Sequence, residues 1–87
     1  MKKFLTYKIR LTNSAIKDLK KIPEKDVSLI AKKLNEYKDD PFSFSKKLSG
    51  KSISTFRFRV GNYRIIFDID EDYIVIHRIG NRKDVYR

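Results

Sequence analysis

The chain has 87 residues, enough for one domain and too few for two. With no cysteine and one histidine it excludes a disulfide framework, a thiol nucleophile, a thiolate metal site and a histidine-rich metal cluster. Lys and Arg number 21 against 11 Asp and Glu, a net charge of +10, so the expected partners are polyanions: nucleic acid first, an acidic protein second, an anionic membrane surface third.

The first stretch, MKKFLTYKIRL, places Leu5, Tyr7, Ile9 and Leu11 in alternation with Thr6, Lys8 and Arg10, which predicts a strand with one buried face. It contains no unbroken apolar run of the kind a secretory signal needs, and no later stretch has the length of a membrane span, so a cytoplasmic location without membrane partners is expected. The residues TNS at 12–14 offer N-cap side chains, and Ile16, Leu19 and Ile22 follow on one face of a short helix. Pro23 ends it and suits the first turn of a second helix. There Glu24 and Asp26 sit near the positive end of the dipole, and Val27, Ile30, Ala31, Leu34 and Tyr37 keep the helical period. The lysines on the outer positions of this helical hairpin are read as a solvated face.

Residues 39–54, DDPFSFSKKLSGKSIS, read as a long connection whose Phe42, Phe44 and Leu48 tuck against the core. Strands follow at about 55–60, 63–69 and 73–79. The expected fold is a small α+β domain over 1–87: an N-terminal strand, then a two-helix hairpin packed on an antiparallel sheet. In FRFRVGNYRIIF, residues 56–67, Gly61-Asn62 is the signature of a tight hairpin turn. That turn sets Val60 opposite Tyr63, Arg59 opposite Arg64, Phe58 opposite Ile65, Arg57 opposite Ile66 and Phe56 opposite Phe67. The second turn, around Asp70-Glu71-Asp72, fits two or three residues, and the choice decides which face His77 and Arg78 occupy. The acidic run lacks the glycine and terminal glutamate of a calcium loop and is read as a solvated turn.

With helices over the face of Phe56, Phe58, Tyr63, Ile65 and Phe67, the face of Arg57, Arg59 and Arg64 stays open. Like charges directly opposite are destabilising, and a bound phosphate would convert that repulsion into charge-assisted hydrogen bonding. His77 has the side chain best suited to proton transfer near neutrality, but it lies mid-strand and is read as a packed or surface residue outside the site.

The helical hairpin, the strand of alternating basic residues, Gly61-x-Tyr63-Arg64-Ile65-Ile66-Phe67, and the terminal Ile79-Gly80-x-Arg82-x-x-Val85-Tyr86 together resemble the RelE/ParE superfamily of toxins, across essentially the whole chain. The resemblance implies a RelE/ParE-like, microbial RNase-like fold. It is nearest to the RelE branch, and so implies a ribosome-dependent messenger-RNA endoribonuclease that needs no metal or cofactor. A ribose 2′-OH would attack the adjacent phosphate, leaving a 2′,3′-cyclic phosphate and a 5′-OH. Site residues carried over are Arg57, Arg59, Arg64, Arg82 and Tyr86, with Lys83 and Arg87 as further RNA contacts. Arg57 and Arg64 would hold phosphorane charge, Arg82 the leaving oxygen, and Tyr86 a displaced base. Relatives often carry lysine where Arg57 and Arg59 stand, and arginine, with a pKa above about 12, is a poor general base. The implied partners are a RelB-like antitoxin, the ribosome with messenger in its decoding site and, for the toxin–antitoxin complex, operator DNA. Two alternatives stay open: a ParE-like inhibitor that binds DNA gyrase, and a non-catalytic RNA-binding module.

Overall fold

The computed structural model describes residues 6–47 and 55–81. Strand β1 (Lys8–Leu11) leads into helix α1 (Asn13–Lys20), helix α2 (Glu24–Tyr37), a 3-10 turn at Pro41–Ser43, and strands β2 (Ser45–Lys47), β3 (Thr55–Val60), β4 (Tyr63–Asp70) and β5 (Tyr73–Asn81). The five strands form one sheet in the order β1-β5-β4-β3-β2. The expected antiparallel meander is β3-β4-β5; β2 adds to it antiparallel and β1 joins β5 in parallel, which makes the sheet mixed. The parallel pair follows from connectivity, because the helical hairpin after β1 provides the long crossover that a parallel neighbour requires.

Local chemistry accounts for the helix ends. Thr12 caps α1 by accepting the Ala15 N–H through its Oγ1 at 3.2 Å, and Lys17 and Lys20 stand in the last turn, where the dipole is negative. Pro23 is the N-cap residue of α2, one place before the helix proper, and Glu24 and Asp26 follow in its first turn. The buried face of α1 differs from its apolar reading: Ala15 and Asp18 are buried while Ile16 is 40% exposed. Asp18 turns inward because it has backbone to satisfy there, as described below.

The core lies between the helices and one sheet face. Ile30 and Leu34 from α2 and Ala15 from α1 meet Phe58, Val60, Ile65, Phe67, Ile74, Ile76 and Ile79. Phe58 stacks on Phe67 with ring centroids 4.2 Å apart, and Tyr37 leans on Phe58 at 4.8 Å. Each fully buried side chain of this size contributes roughly 1.5–3 kcal/mol.

The connection at 39–54 holds more structure than its composition suggests, since the 3-10 turn and β2 lie within it. Phe42 and Phe44 are only half tucked in, each 52% exposed. Phe42 sets its ring edgewise to Tyr7 and Phe56, and Phe44 stacks on Tyr37. Leu48 falls outside the described residues.

The hairpin register is the one its Gly-Asn pair dictates, from Val60↔Tyr63 to Phe56↔Phe67. Gly61 takes φ +60, the left-handed value that glycine adopts at no steric cost. The second turn has two residues, since Asp70 pairs with Tyr73. The register then slips: Phe67 faces Ile76 and Ile66 faces Arg78, so His77 is the extra residue of a β-bulge. The bulge lets Ile74, Ile76 and Ile79 all reach the core although strict alternation forbids it.

Candidate nucleic-acid interface

The face turned away from the helices is built from register rows running across the strands. One row is Lys46·Arg57·Ile66·Arg78, and the next is Arg59·Arg64·Gly80, with Phe44 one residue before β2 at its edge. In a two-residue hairpin the pair flanking the turn exchanges hydrogen bonds, so Arg59 and Arg64 occupy the next, non-hydrogen-bonded pair, where side chains come closest. Neither row contains an acidic residue. At the β5 end of the first row Arg78 pairs with Asp18 of α1, Nε to Oδ2 2.8 Å, and further along this face Lys8 lies 3.7 Å from Asp72, Arg10 sits 4.2 Å from the Tyr73 ring centroid, and His77 Nε2 is 2.9 Å from Asp68 Oδ2. The positive field is thus gathered at the β2-β3-β4 end.

Arg59 is exposed and Arg57 half-buried, but Arg64 is only 8% exposed, contrary to the open position expected of it. It lies on the interior strand β4, between Arg59 and Gly80, and its stem can cover apolar sheet surface while the head stays charged. A guanidinium in this less hydrated place acts more strongly on a nearby phosphate than one in open water.

Arg59 forms a wall shared by two concavities. One, about 130 Å³, is lined by Arg59, Gly61, Asn62, Tyr63, Arg64 and Asn81. The other, about 320 Å³, is lined by Ser43, Phe44, Ser45, Lys46, Arg57 and Arg59. A larger groove of about 670 Å³ runs between β1 and α2, but its walls are mainly apolar and it is separate from the arginines. Arg82, Lys83, Tyr86 and Arg87 lie outside the described residues; β5 ends at Asn81, in the wall of the smaller concavity. His77 stays outside the cationic rows. Its partner Asp68 is four residues along β4 from Arg64, roughly 13 Å at a strand's rise.

Two hydrogen-bonded clasps hold this end of the sheet on the helices. Thr12 fastens α1 to the bulge, its N–H donating to Ile76 O at 3.0 Å and its Oγ1 to His77 O at 3.2 Å. Beyond Ile76 strand β1 has ended, and Asp18 takes over: its carboxylate accepts the Ile79 N–H at 2.9 Å and Arg78 Nε at 2.8 Å. Burial pushes the Asp18 carboxyl up, but the Arg78 and Ile79 hydrogen bonds and the charges of Arg78 and Lys21 outweigh it and hold the carboxyl below its ordinary value. On the other side, Tyr63 donates to Asp26 Oδ2 at 2.7 Å, and this bond, with burial and the carboxylate charge, raises the phenol. Sequence reading missed Lys46, Asp18 and this tyrosine bond. The Ser-Lys-Lys run of a short basic edge strand was the available signal for Lys46.

A basic sheet face on a two-helix, five-strand domain is the architecture expected of a small toxin of the RelE/ParE type. A family model described as the ParE toxin of the type II toxin-antitoxin system parDE matches residues 9–86, and the chain belongs to this family of toxins. It is similar to toxin RelG of Mycobacterium tuberculosis, 30% identical over 86 residues, 95% of this chain and 99% of that one. It is also similar to toxin RelE3 of Methanocaldococcus jannaschii, 34% identical over 91% of this chain and 94% of that one. Among solved structures, the toxin-antitoxin complex RelBE2 of Mycobacterium tuberculosis contains a chain that superposes with TM-score 0.81 at 29% identity, covering 88% of this chain and 99% of that chain. Among the described residues no helix is long and apolar enough to cross a membrane.

Proposed function

We propose that this toxin is a ribosome-dependent endoribonuclease that cuts messenger RNA in the decoding site. The observation that carries the reading is the Arg59–Arg64 pair at the closest register position, flanked by Lys46 and Arg57 with no acid in either row. Such a concentration of guanidinium charge costs stability in the free protein and suits a phosphodiester whose charge grows during reaction. The ribose 2′-oxygen forms a bond to phosphorus as the bond to the 5′-oxygen breaks. The 2′-OH proton leaves to a base, and the departing oxygen gains one. Arg57 and Arg64 hold the phosphorane oxygens, Arg82 the departing oxygen, and Tyr86 stacks on a displaced base. Arginine keeps its proton, so Arg59 acts through charge and position, and the base comes from the ribosome. Lys83 and Arg87 add phosphate contacts. A RelB-like antitoxin neutralises the toxin by covering the cationic rows, and the complex of the two binds operator DNA.

The test adds purified protein to ribosomes stalled on a defined messenger with an empty decoding site and maps the RNA ends, with ribosome-free RNA as control. Cleavage is expected only on the ribosome. Arg57→Ala and Arg64→Ala should each lower its rate by about 10²–10³, the usual effect of removing one transition-state donor. Arg59→Lys should keep or raise the rate. Intact RNA in both samples would reject the reading. The ParE name of the matching family model favours a second one, inhibition of DNA gyrase by protein binding, for which a supercoiling assay would give the positive result.

A further inference from the structure

Phe44 ends the 3-10 turn and immediately precedes β2. One face of its ring lies on Tyr37, with centroids 4.7 Å apart and planes 19° from parallel, while 52% of the residue stays exposed. Tyr37 in turn leans on fully buried Phe58, so the exposed ring is anchored to the core by a stack of two. The concavity of about 320 Å³ beside it is walled by Lys46, Arg57 and Arg59. Phe42 is equally exposed, yet it is held edgewise against Tyr7 and Phe56 and does not line this concavity.

A ring fixed on one face, on a half-exposed residue that shares a concavity with three cations, has the elements that single-stranded RNA sites use, an aromatic platform for a base near positive charge for its phosphate. We infer that Phe44 is a base-stacking platform, seating the base of a nucleotide whose phosphate lies over Arg57 and Arg59. Phe44 stands two strand spacings from Arg64, about 10 Å, so the seated nucleotide neighbours the one being cut. The inference takes its ligand from the RNA-cleavage reading above. It adds a second contact to that site and fixes the register of the messenger across the strands.

The probe is a short single-stranded RNA carrying 2-aminopurine and 2′-O-methyl riboses, which binds but cannot be cleaved. Its emission should fall on binding the wild-type protein. Phe44→Leu, which keeps apolar cover over Tyr37, and Phe44→Ala should each weaken binding about 5- to 150-fold and abolish the quenching. Phe44→Trp should retain both, and since the chain has no tryptophan its own emission reports the same contact. Phe42→Ala should bind as wild type. The platform is overturned if Phe44→Leu binds and quenches like wild type, or if wild-type protein binds the RNA without quenching. Ribosomal cleavage measured in parallel separates the two ideas: cutting that ignores Phe44 removes the platform and keeps the nuclease, while quenching without cutting does the reverse.

Discussion

Arg59 and Arg64 face each other where a sheet ordinarily places matched or neutral partners. The cost should be visible as stability. Arg59→Gln removes one of the two charges from an exposed position and should raise the stability of the folded protein by about 0.2–1 kcal/mol while lowering RNA cleavage. Half-molar salt should shrink the gain in denaturant titrations, because screening weakens the repulsion in the parent. A variant that melts with the parent at low salt would remove the repulsion from the account. Arg64 is the opposite case. Being nearly covered, it packs as well as charges, and its alanine variant is to be read together with a melting curve.

At the scale of elements, the Asp18 clasp closes the part of β5 that β1 leaves uncovered. Asp18→Asn keeps an acceptor for the Ile79 N–H but loses charge assistance to Arg78, and should cost about 1–2 kcal/mol at pH 7. Its carboxyl sits below 3.8 in the folded chain, so the contribution is present above that value and is lost as pH falls through the depressed one. The asparagine variant should therefore show a shallower loss of stability between about pH 5 and 2, measured by urea titration at each pH.

These contacts also mark what the sequence could and could not reveal. The β3-β4 hairpin and its facing arginines were legible because a Gly-Asn turn and strict alternation leave a single register. The two helices were legible from period and caps. The bulge was not, since one extra residue at His77 obeys no local rule and is set by the core's need for Ile76 and Ile79 together. Strand β2 was missed because three polar residues carry no apolar alternation, and with it went Lys46 and the position of Phe44. Asp18 carries no local signal of burial; only the ending of β1 gives it backbone to bind.

For the molecule as a whole, strand order has a consequence in time. The last strand among the described residues, β5, is flanked by β1 and β4, and it supplies Ile74, Ile76 and Ile79 to the core. The link between Thr12 and His77 joins residues 65 apart along the chain. Contacts so distant in sequence form late, because loop closure precedes any gain. A chain shortened to end at Asp70 should show no cooperative unfolding transition by circular dichroism; a sharp melt would contradict this. A growing chain emerges from its N-terminus, so the sheet that aligns the arginines stays open until the stretch from Tyr73 onward has been made. Birth order thus acts as a safety catch: the cationic rows stay unaligned until the strand that closes the sheet has been made.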